Sequence, residues 1–260
     1  MTQVSSDPLI ARTDAASRGR PLLICYLPVG DPKTPSASVA RYIDCGVDVI
    51  EAGIGVSDPA LDGDVIRDSM HRCVAAGVVG RRAADALAQQ LSAGNRPAAV
   101  WMSYAEQLDD DYLEMVSASG ARGVLLPGTA PAALAAALAT APSGGSLSVI
   151  PFLDHRPTAA QIDAACDAPA YAMLAAAAGV TGTRDLVGQD NAAILAGLRD
   201  KGVTAPIVLG FGIGTAGHAR RAIELGADGV VVGTACVRAA LDGPSTLTAV
   251  LSDLRRTLDG

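Results

Sequence analysis

The sequence of 260 residues predicts a single (β/α)8 TIM barrel of the α/β class, led by a short N-terminal segment over 1–20. Three observations carry that expectation. Eight short apolar runs recur along the chain, and helix-type Ala/Leu/Arg segments fill the intervals between them. The length is close to the ~250 residues typical of one such barrel. The 28 glycines and 15 prolines fit many short connections between strands and helices.

The strand-type runs lie at 22–27 (LLICYL), 47–52 (VDVIEA), 98–103 (AAVWMS), 123–126 (GVLL), 147–152 (LSVIPF), 170–174 (AYAML), 207–209 (IVL) and 229–232 (GVVV). Most are apolar at consecutive positions, as strands of a parallel sheet buried on both faces are. Helices are expected at 34–44, 81–91, 109–119, 131–140, 158–165, 189–201, 216–225 and 246–258, with an extra one at 65–76. A doubly wound open sheet shares this alternation, and periodicity alone does not separate the two. The strand count and the glycine clusters after the last two runs favour the barrel. No linker, charge block or composition shift divides the chain, so 1–260 is expected to form one domain.

Composition narrows the function. The net charge is -7 and aromatics make up 3%. Nucleic-acid binding needs clustered Lys/Arg for phosphates and aromatics for stacking, so it is not expected. The five dispersed cysteines form no CxxC pair, which fits reduced thiols in a cytoplasmic protein. Residues 1–20 lack the apolar core of a secretory leader, and no apolar run reaches the ~18 residues of a membrane span.

In a barrel, chemistry sits at the C-terminal ends of the strands. Glu51 lies near the end of the second run, after the apolar Val49 and Ile50. A carboxyl aimed into the barrel mouth is partly desolvated, which raises its pKa toward neutral and favours proton exchange; pairing with a barrel arginine is the competing structural role. Asp58 and Asp62 lie in the following loop (VSDPALDGD). Asp62 can share acid and base work with Glu51, whereas Asp58 is better read as a turn cap. Glycine turns follow runs six, seven and eight: Gly179-Val180-Thr181-Gly182, Gly210-Phe211-Gly212-Ile213-Gly214 and Gly233-Thr234. Glycine lets backbone N–H groups approach an anion, and a helix N-terminus adds positive potential. Tight turns without a ligand are the alternative.

Other chemistries find less support. A Schiff-base aldolase needs a lysine inside the barrel. The only lysines are Lys33, in the loop after the first strand, and Lys201, before the seventh strand on the opposite face. His71, His155 and His218 form no spaced pair for a metal, although His155 lies just past the fifth run. No GxSxG nucleophile elbow occurs.

Taken in order from about 22 to 237, these motifs resemble the tryptophan synthase alpha chain and the stand-alone indole-3-glycerol-phosphate lyases. Gly30-Asp31-Pro32 resembles the family's G-D-P turn. The stretch from Glu51 through Gly53, Ser57-Asp58-Pro59 and Asp62-Gly63 resembles its long second-strand signature. Gly179-Val180-Thr181-Gly182, Gly210-Phe211-Gly212-Ile213 and Gly233-Thr234 resemble its phosphate turns. The resemblance implies retro-aldol cleavage of indole-3-glycerol phosphate to indole and glyceraldehyde 3-phosphate, with no cofactor and no metal. It implies Glu51 as the acid/base, Asp62 as the carboxylate that holds the indole N–H, and Gly182, Gly212, Gly233 and Thr234 as the phosphate cradle. Tyr26, Met102, Tyr104, Leu126, Phe152, Met173 and Phe211 are the expected lining of a flat apolar slot for the indole ring.

The departures are specific. Gly55 stands for the family's proline inside the signature and Asp64 for the proline after D-G. Tyr104-Ala105-Glu106 replaces Y-x-N, Leu126-Pro127-Gly128-Thr129 replaces D-x-P, and Ala177-Ala178 replaces R-S. By the resemblance, most of these positions serve docking to a beta chain or loop closure. The expectation is therefore a divergent paralogue with its carboxylates intact, uncoupled from the usual beta chain. A weakly catalytic or non-catalytic subunit that regulates a pyridoxal-phosphate-dependent beta-like partner, and an enzyme acting on another sugar phosphate, stay open. Asp64 is expected to disturb Asp62, by charge or by geometry.

Overall fold

The computed structural model describes residues 7–14, 19–92, 98–104, 108–141, 147–177 and 188–260. In chain order the elements begin with α1 (Pro8–Thr13), β1 (Leu22–Pro28), α2 (Val39–Asp44), β2 (Val49–Gly53), α3 (Asp64–Ala75) and α4 (Gly80–Ser92). The middle holds β3 (Ala98–Met102), α5 (Asp110–Ala118), β4 (Gly123–Leu125), α6 (Pro131–Thr140), β5 (Ser148–Val149), β6 (Phe152–Leu153) and α7 (Ala159–Cys166). The chain continues through β7 (Ala172–Ala175), α8 (Asp190–Asp200), β8 (Ile207–Gly210), α9 (Ala216–Glu224), β9 (Gly229–Val232), α10 (Thr234–Asp242) and α11 (Pro244–Asp259).

All paired strands run parallel, in the order β5-β4-β3-β2-β1-β9-β8-β7-β6. The two ends of that order are pieces of one stave. The Ile150 N–H donates to Val124 O on the β4 side, and the Met173 N–H donates to Pro151 O on the β7 side, each at 2.9 Å. The sheet thus closes on itself through 148–153, which decides for the barrel over the open sheet. The run expected as one strand at 147–152 is split because Pro151 has no N–H to give to a ladder.

Strand alternation sorts side chains into two layers. Leu22, Ile24, Tyr26, Val49, Val100, Met102, Leu125, Met173, Val208 and Val231 fill the barrel interior. Leu23, Cys25, Leu27, Ile50, Ala52, Trp101, Leu126, Leu174 and Leu209 pack outward against the helices. Glu51 pairs in register with Tyr26 and with Val100, both interior residues, so the strand period turns its carboxyl inward.

Most expected helices form within a few residues of their sequence bounds, and the one at 131–140 matches α6 throughout. The helix expected at 34–44 starts only at Val39. Residues 31–37 instead make consecutive turns (Thr34 N–H to Asp31 O, Ala37 N–H to Thr34 O), and the Ser38 side chain accepts from the Arg41 N–H as the N-cap. Two helices were not expected. In α1, Leu9 is fully buried in the interior layer and approaches Gly123, where a Cβ would lie 2.9 Å from Leu9 Cδ2. The other, α10, begins directly after β9 and enters the site.

The N-terminal face carries a structural ion network. Asp48 Oδ2 accepts from Arg255 Nη1 at 3.0 Å and from the Leu23 N–H at 2.9 Å, and Arg20 pairs with its other oxygen. No helix among the described residues is long and apolar enough to cross a membrane.

Candidate active site

The C-terminal end of the barrel opens into a cavity of about 520 Å³. Glu51 and Asp62 reach it from β2 and from the loop that follows. That loop folds back over the mouth through a turn in which the Asp62 N–H donates to Pro59 O at 3.1 Å. Asp58 stays exposed on the outside of the turn.

The two carboxyls are nearly sealed from water, Glu51 at 3% exposure and Asp62 at 5%. Burial pushes Glu51 up to about 8; the Tyr171 hydroxyl, which donates to Oε1 at 3.4 Å, pulls the other way, and the Asp62 charge adds to the rise. Burial lifts Asp62 less, to about 6, because the Tyr104 hydroxyl donates to its Oδ2 at 2.8 Å and favours the anion. At neutral pH this splits the pair into a protonated Glu51 and an ionised Asp62, the separation that lets two carboxyls take different roles.

Asp64 does not disturb Asp62. It occupies the first turn of α3, its side chain is 83% exposed, and it pairs with Arg67. Its charge meets the positive end of the helix and solvent instead. Gly55 also has a packing reason. A Cβ there would lie 2.6 Å from Cys73 Cβ and 2.9 Å from Met70 O, so α3 sits too close for a proline ring.

A second anchor holds α3 in place. Asp31, buried in the loop after β1, accepts two hydrogen bonds from Arg72, Nε to Oδ1 at 2.8 Å and Nη2 to Oδ2 at 2.6 Å. Ser69 Oγ donates at 2.6 Å and the Lys33 N–H at 3.0 Å. Burial opposes the charge on Asp31, but these donors outweigh it and hold the carboxyl below its ordinary range. The clamp ties the G-D-P turn to the helix directly after the Asp62 loop.

The opposite side of the cavity is built from backbone. Phe211 has φ 61° and Gly212 φ 99°, two successive left-handed residues after β8. For a bulky residue this conformation is strained, and such strain collects at functional sites. The turn runs through Gly214 to Thr215, which caps α9 by accepting from the His218 N–H. His218 Nδ1 lies 3.1 Å from Gly212 O and 3.3 Å from Gly214 N, so its ring braces this turn. Beside it Gly233 starts α10 without a side-chain cap, leaving the Thr234 and Ala235 amides at a helix N-terminus on the cavity wall. Two helix N-termini and a glycine turn thus face one space, an arrangement suited to a phosphate.

Of the residues expected at the site, Tyr26, Glu51, Asp62, Met102, Met173, Phe211, Gly212, Gly233 and Thr234 line this one cavity. Tyr104 is joined to it through Asp62. Phe152 stands behind, its ring 5.4 Å from that of Phe211. Leu126 is a correction. It packs outward in the helix-facing layer, and its neighbour Leu125 points inward, because successive residues of β4 and its extension alternate faces. Gly182 lies outside the described residues. Sequence reasoning missed Tyr171, Ile66, Val231 and His218. Tyr171 was legible in principle, since it is two residues before the inward Met173. His155 ties elements together rather than lining the cavity: Nδ1 meets Ala175 O at 3.2 Å and Nε2 meets Asp190 Oδ2 at 2.9 Å.

Close packing within the slot makes one test of the geometry. A Cβ on Gly53 would fall 2.0 Å from Tyr26 Cζ and 2.1 Å from its hydroxyl oxygen. Gly53→Ala is expected to lower stability by about 1–3 kcal/mol through this overlap. Adding Tyr26→Leu should recover much of the loss in urea unfolding; equal losses in the single and double variants would place Tyr26 elsewhere.

The family model described as "Tryptophan synthase alpha chain" matches residues 13–256. The tryptophan synthase alpha chain of Halorhodospira halophila is 34% identical over 260 residues, covering 94% of this chain and 93% of that one. That of Gloeobacter violaceus is 31% identical over 246 residues, covering 92% and 88%. Among solved structures, Mycobacterium tuberculosis tryptophan synthase superposes with a TM-score of 0.82 at 26% identity, over 98% of this chain and 99% of that one. The alpha chain from Legionella pneumophila has the same fold, with a TM-score of 0.82 at 22% identity and 98% coverage of both chains. The chain belongs to the tryptophan synthase alpha chain family.

Proposed function

We propose that this protein cleaves indole-3-glycerol phosphate, or a close analogue, to indole and glyceraldehyde 3-phosphate by retro-aldol chemistry. The observation that carries the reading is that a proton-bearing carboxyl, Glu51, and an amide-lined anion socket at Gly212, Gly233 and Thr234 line the same cavity. Apolar side chains of Met102, Met173, Phe211 and Val231 lie around them.

The protein is a carbon–carbon lyase of the tryptophan synthase alpha type. Glu51 starts in its acid form and gives its proton to the ring carbon that bears the glycerol chain, which turns the indole into a cationic electron sink. Asp62, ionised, accepts the ring N–H and stabilises that charge. The Glu51 carboxylate so formed then takes the proton of the hydroxyl on the adjacent side-chain carbon. That carbon becomes the aldehyde, the C–C bond breaks, and its electron pair restores the aromatic ring. The proton returns to Glu51, so the cycle balances within the chain's own residues.

The reading extends to autonomy from the usual beta chain. Leu126-Pro127-Gly128-Thr129 and Ala177-Ala178 depart from family patterns that the resemblance assigns to docking and loop closure. The test measures indole release from indole-3-glycerol phosphate by the purified chain, alone and with a tryptophan synthase beta chain. Release by the chain alone, unchanged by the beta chain, is expected. Release only in the complex would refute autonomy, and none in either case would refute the lyase.

A further inference from the structure

We propose that Arg238 grips the outer side of the substrate's phosphate, an inference that rests on the lyase reading and deepens it. Thr234, Arg238 and Asp242 are spaced one turn apart along α10, and all three line the cavity. Residues at that spacing share a helix face, and helical side chains lean toward the N-terminus. The reach of Arg238 is therefore toward the Gly233–Thr234 end, where the amide socket lies.

Among the described residues lining the cavity, Arg238 is the one arginine or lysine. Among the described residues it makes no hydrogen bond or ion pair, whereas Arg72, Arg199 and Arg255 are each committed to a carboxylate. It is exposed, so its guanidinium stays hydrated and movable until a ligand arrives.

The electrostatics of the site call for such a group. Each helix N-terminus supplies only about half a positive charge. A phosphate dianion must enter a chain of net charge -7, into a cavity that also holds Asp62 and Asp242. His218 faces the same space from α9, but its Nδ1 is engaged with the 212–214 turn. A guanidinium supplies a full charge and binds two phosphate oxygens at once. The phosphate does not change during cleavage, so its grip strengthens ground state and transition state alike, and its loss should appear in KM.

The experiment compares wild type, Arg238→Met and Arg238→Lys. It combines steady-state cleavage of indole-3-glycerol phosphate with calorimetric titration of glycerol 3-phosphate, and circular dichroism checks the fold. For Arg238→Met we expect KM to rise, and glycerol 3-phosphate affinity to fall, by about tenfold. We expect kcat to stay within about threefold, and KM to depend less on salt. Arg238→Lys should recover part of the affinity. The proposal is overturned if KM and affinity in Arg238→Met stay within twofold of wild type, or if kcat alone falls. If the wild type binds glycerol 3-phosphate in an Arg238-dependent way yet releases no indole, the lyase reading fails and the anion grip stands. Indole release that ignores Arg238 removes the grip and leaves the lyase.

Discussion

Glu51→Gln should abolish nearly all indole release, lowering kcat by about 10³-fold or more, because in the proposed mechanism one carboxyl both gives and takes the proton. Single acid/base groups typically contribute ~10²–10⁴-fold, and this one is used in both directions. Glutamine keeps the shape and has no proton to transfer. The wild-type pH profile should be a bell. The alkaline limb falls through about 8 as Glu51 loses its proton, and the acidic limb through about 6 as Asp62 gains one. Asp62→Asn should lose the acidic limb. Full activity in Glu51→Gln, or a profile flat from pH 5 to 9, would sink the mechanism.

The same substitution has a consequence for stability. A buried carboxyl whose pKa is raised binds its proton more tightly in the folded state than in the unfolded chain. The contribution of Glu51 to wild-type stability therefore declines as pH climbs from the ordinary 4.5 to about 8, by at most roughly 1.4 kcal/mol per pH unit, and levels off above that. Glutamine does not titrate. Glu51→Gln should thus become increasingly more stable than wild type across this window, visible as Tm curves that diverge with pH. Parallel curves would mean that Glu51 is solvated in the folded protein.

Arg72→Leu is expected to give the largest loss of stability, about 3 kcal/mol or a Tm lower by roughly 6–10 °C. It strands the fully buried Asp31 charge with only Ser69 and one amide as donors. Asp31 has a depressed pKa, so the clamp stabilises the fold above the ordinary 3.8 and is lost as pH falls through the lower folded value. The gap between wild type and variant should shrink in acid. Asp31→Asn combined with Arg72→Leu should recover part of the loss, because no buried charge remains. Activity should fall along with stability in Arg72→Leu, since the clamp fixes α3 behind the Asp62 loop. A double variant no more stable than Arg72→Leu would show that lost packing, and not a stranded charge, causes the effect.

Much of this was readable along the chain. Eight apolar runs and the intervening helices follow from local hydrophobic periodicity, and the helix at 131–140 is bounded by its own Pro131 at the start. Glu51 stands out as a charge near the end of a strand, and the glycine turns stand out by composition. The errors have local causes. Leu126 was assigned inward because an apolar run does not announce its phase; only pairing to neighbouring strands fixes which residues face the interior. The helix α10 is not announced by the sequence because Gly233-Thr234 reads as a turn, whereas the helix starts at Thr234 itself.

By itself, the order of residues determined which segments become strands and helices, where the chain turns, and which carboxyls and glycines stand at strand ends. These depend on neighbours a few positions apart. Only the tertiary structure decided that the sheet closes through a stave broken at Pro151. It alone placed Tyr171 and Tyr104 on the two carboxyls and Arg238 on the cavity wall with Gly233 and Thr234. Glu51 and Tyr171 are 120 positions apart, and Asp62 and Tyr104 are 42. Contacts across such distances are set by how sheet and helices pack, and that packing buries both acids and so shifts them.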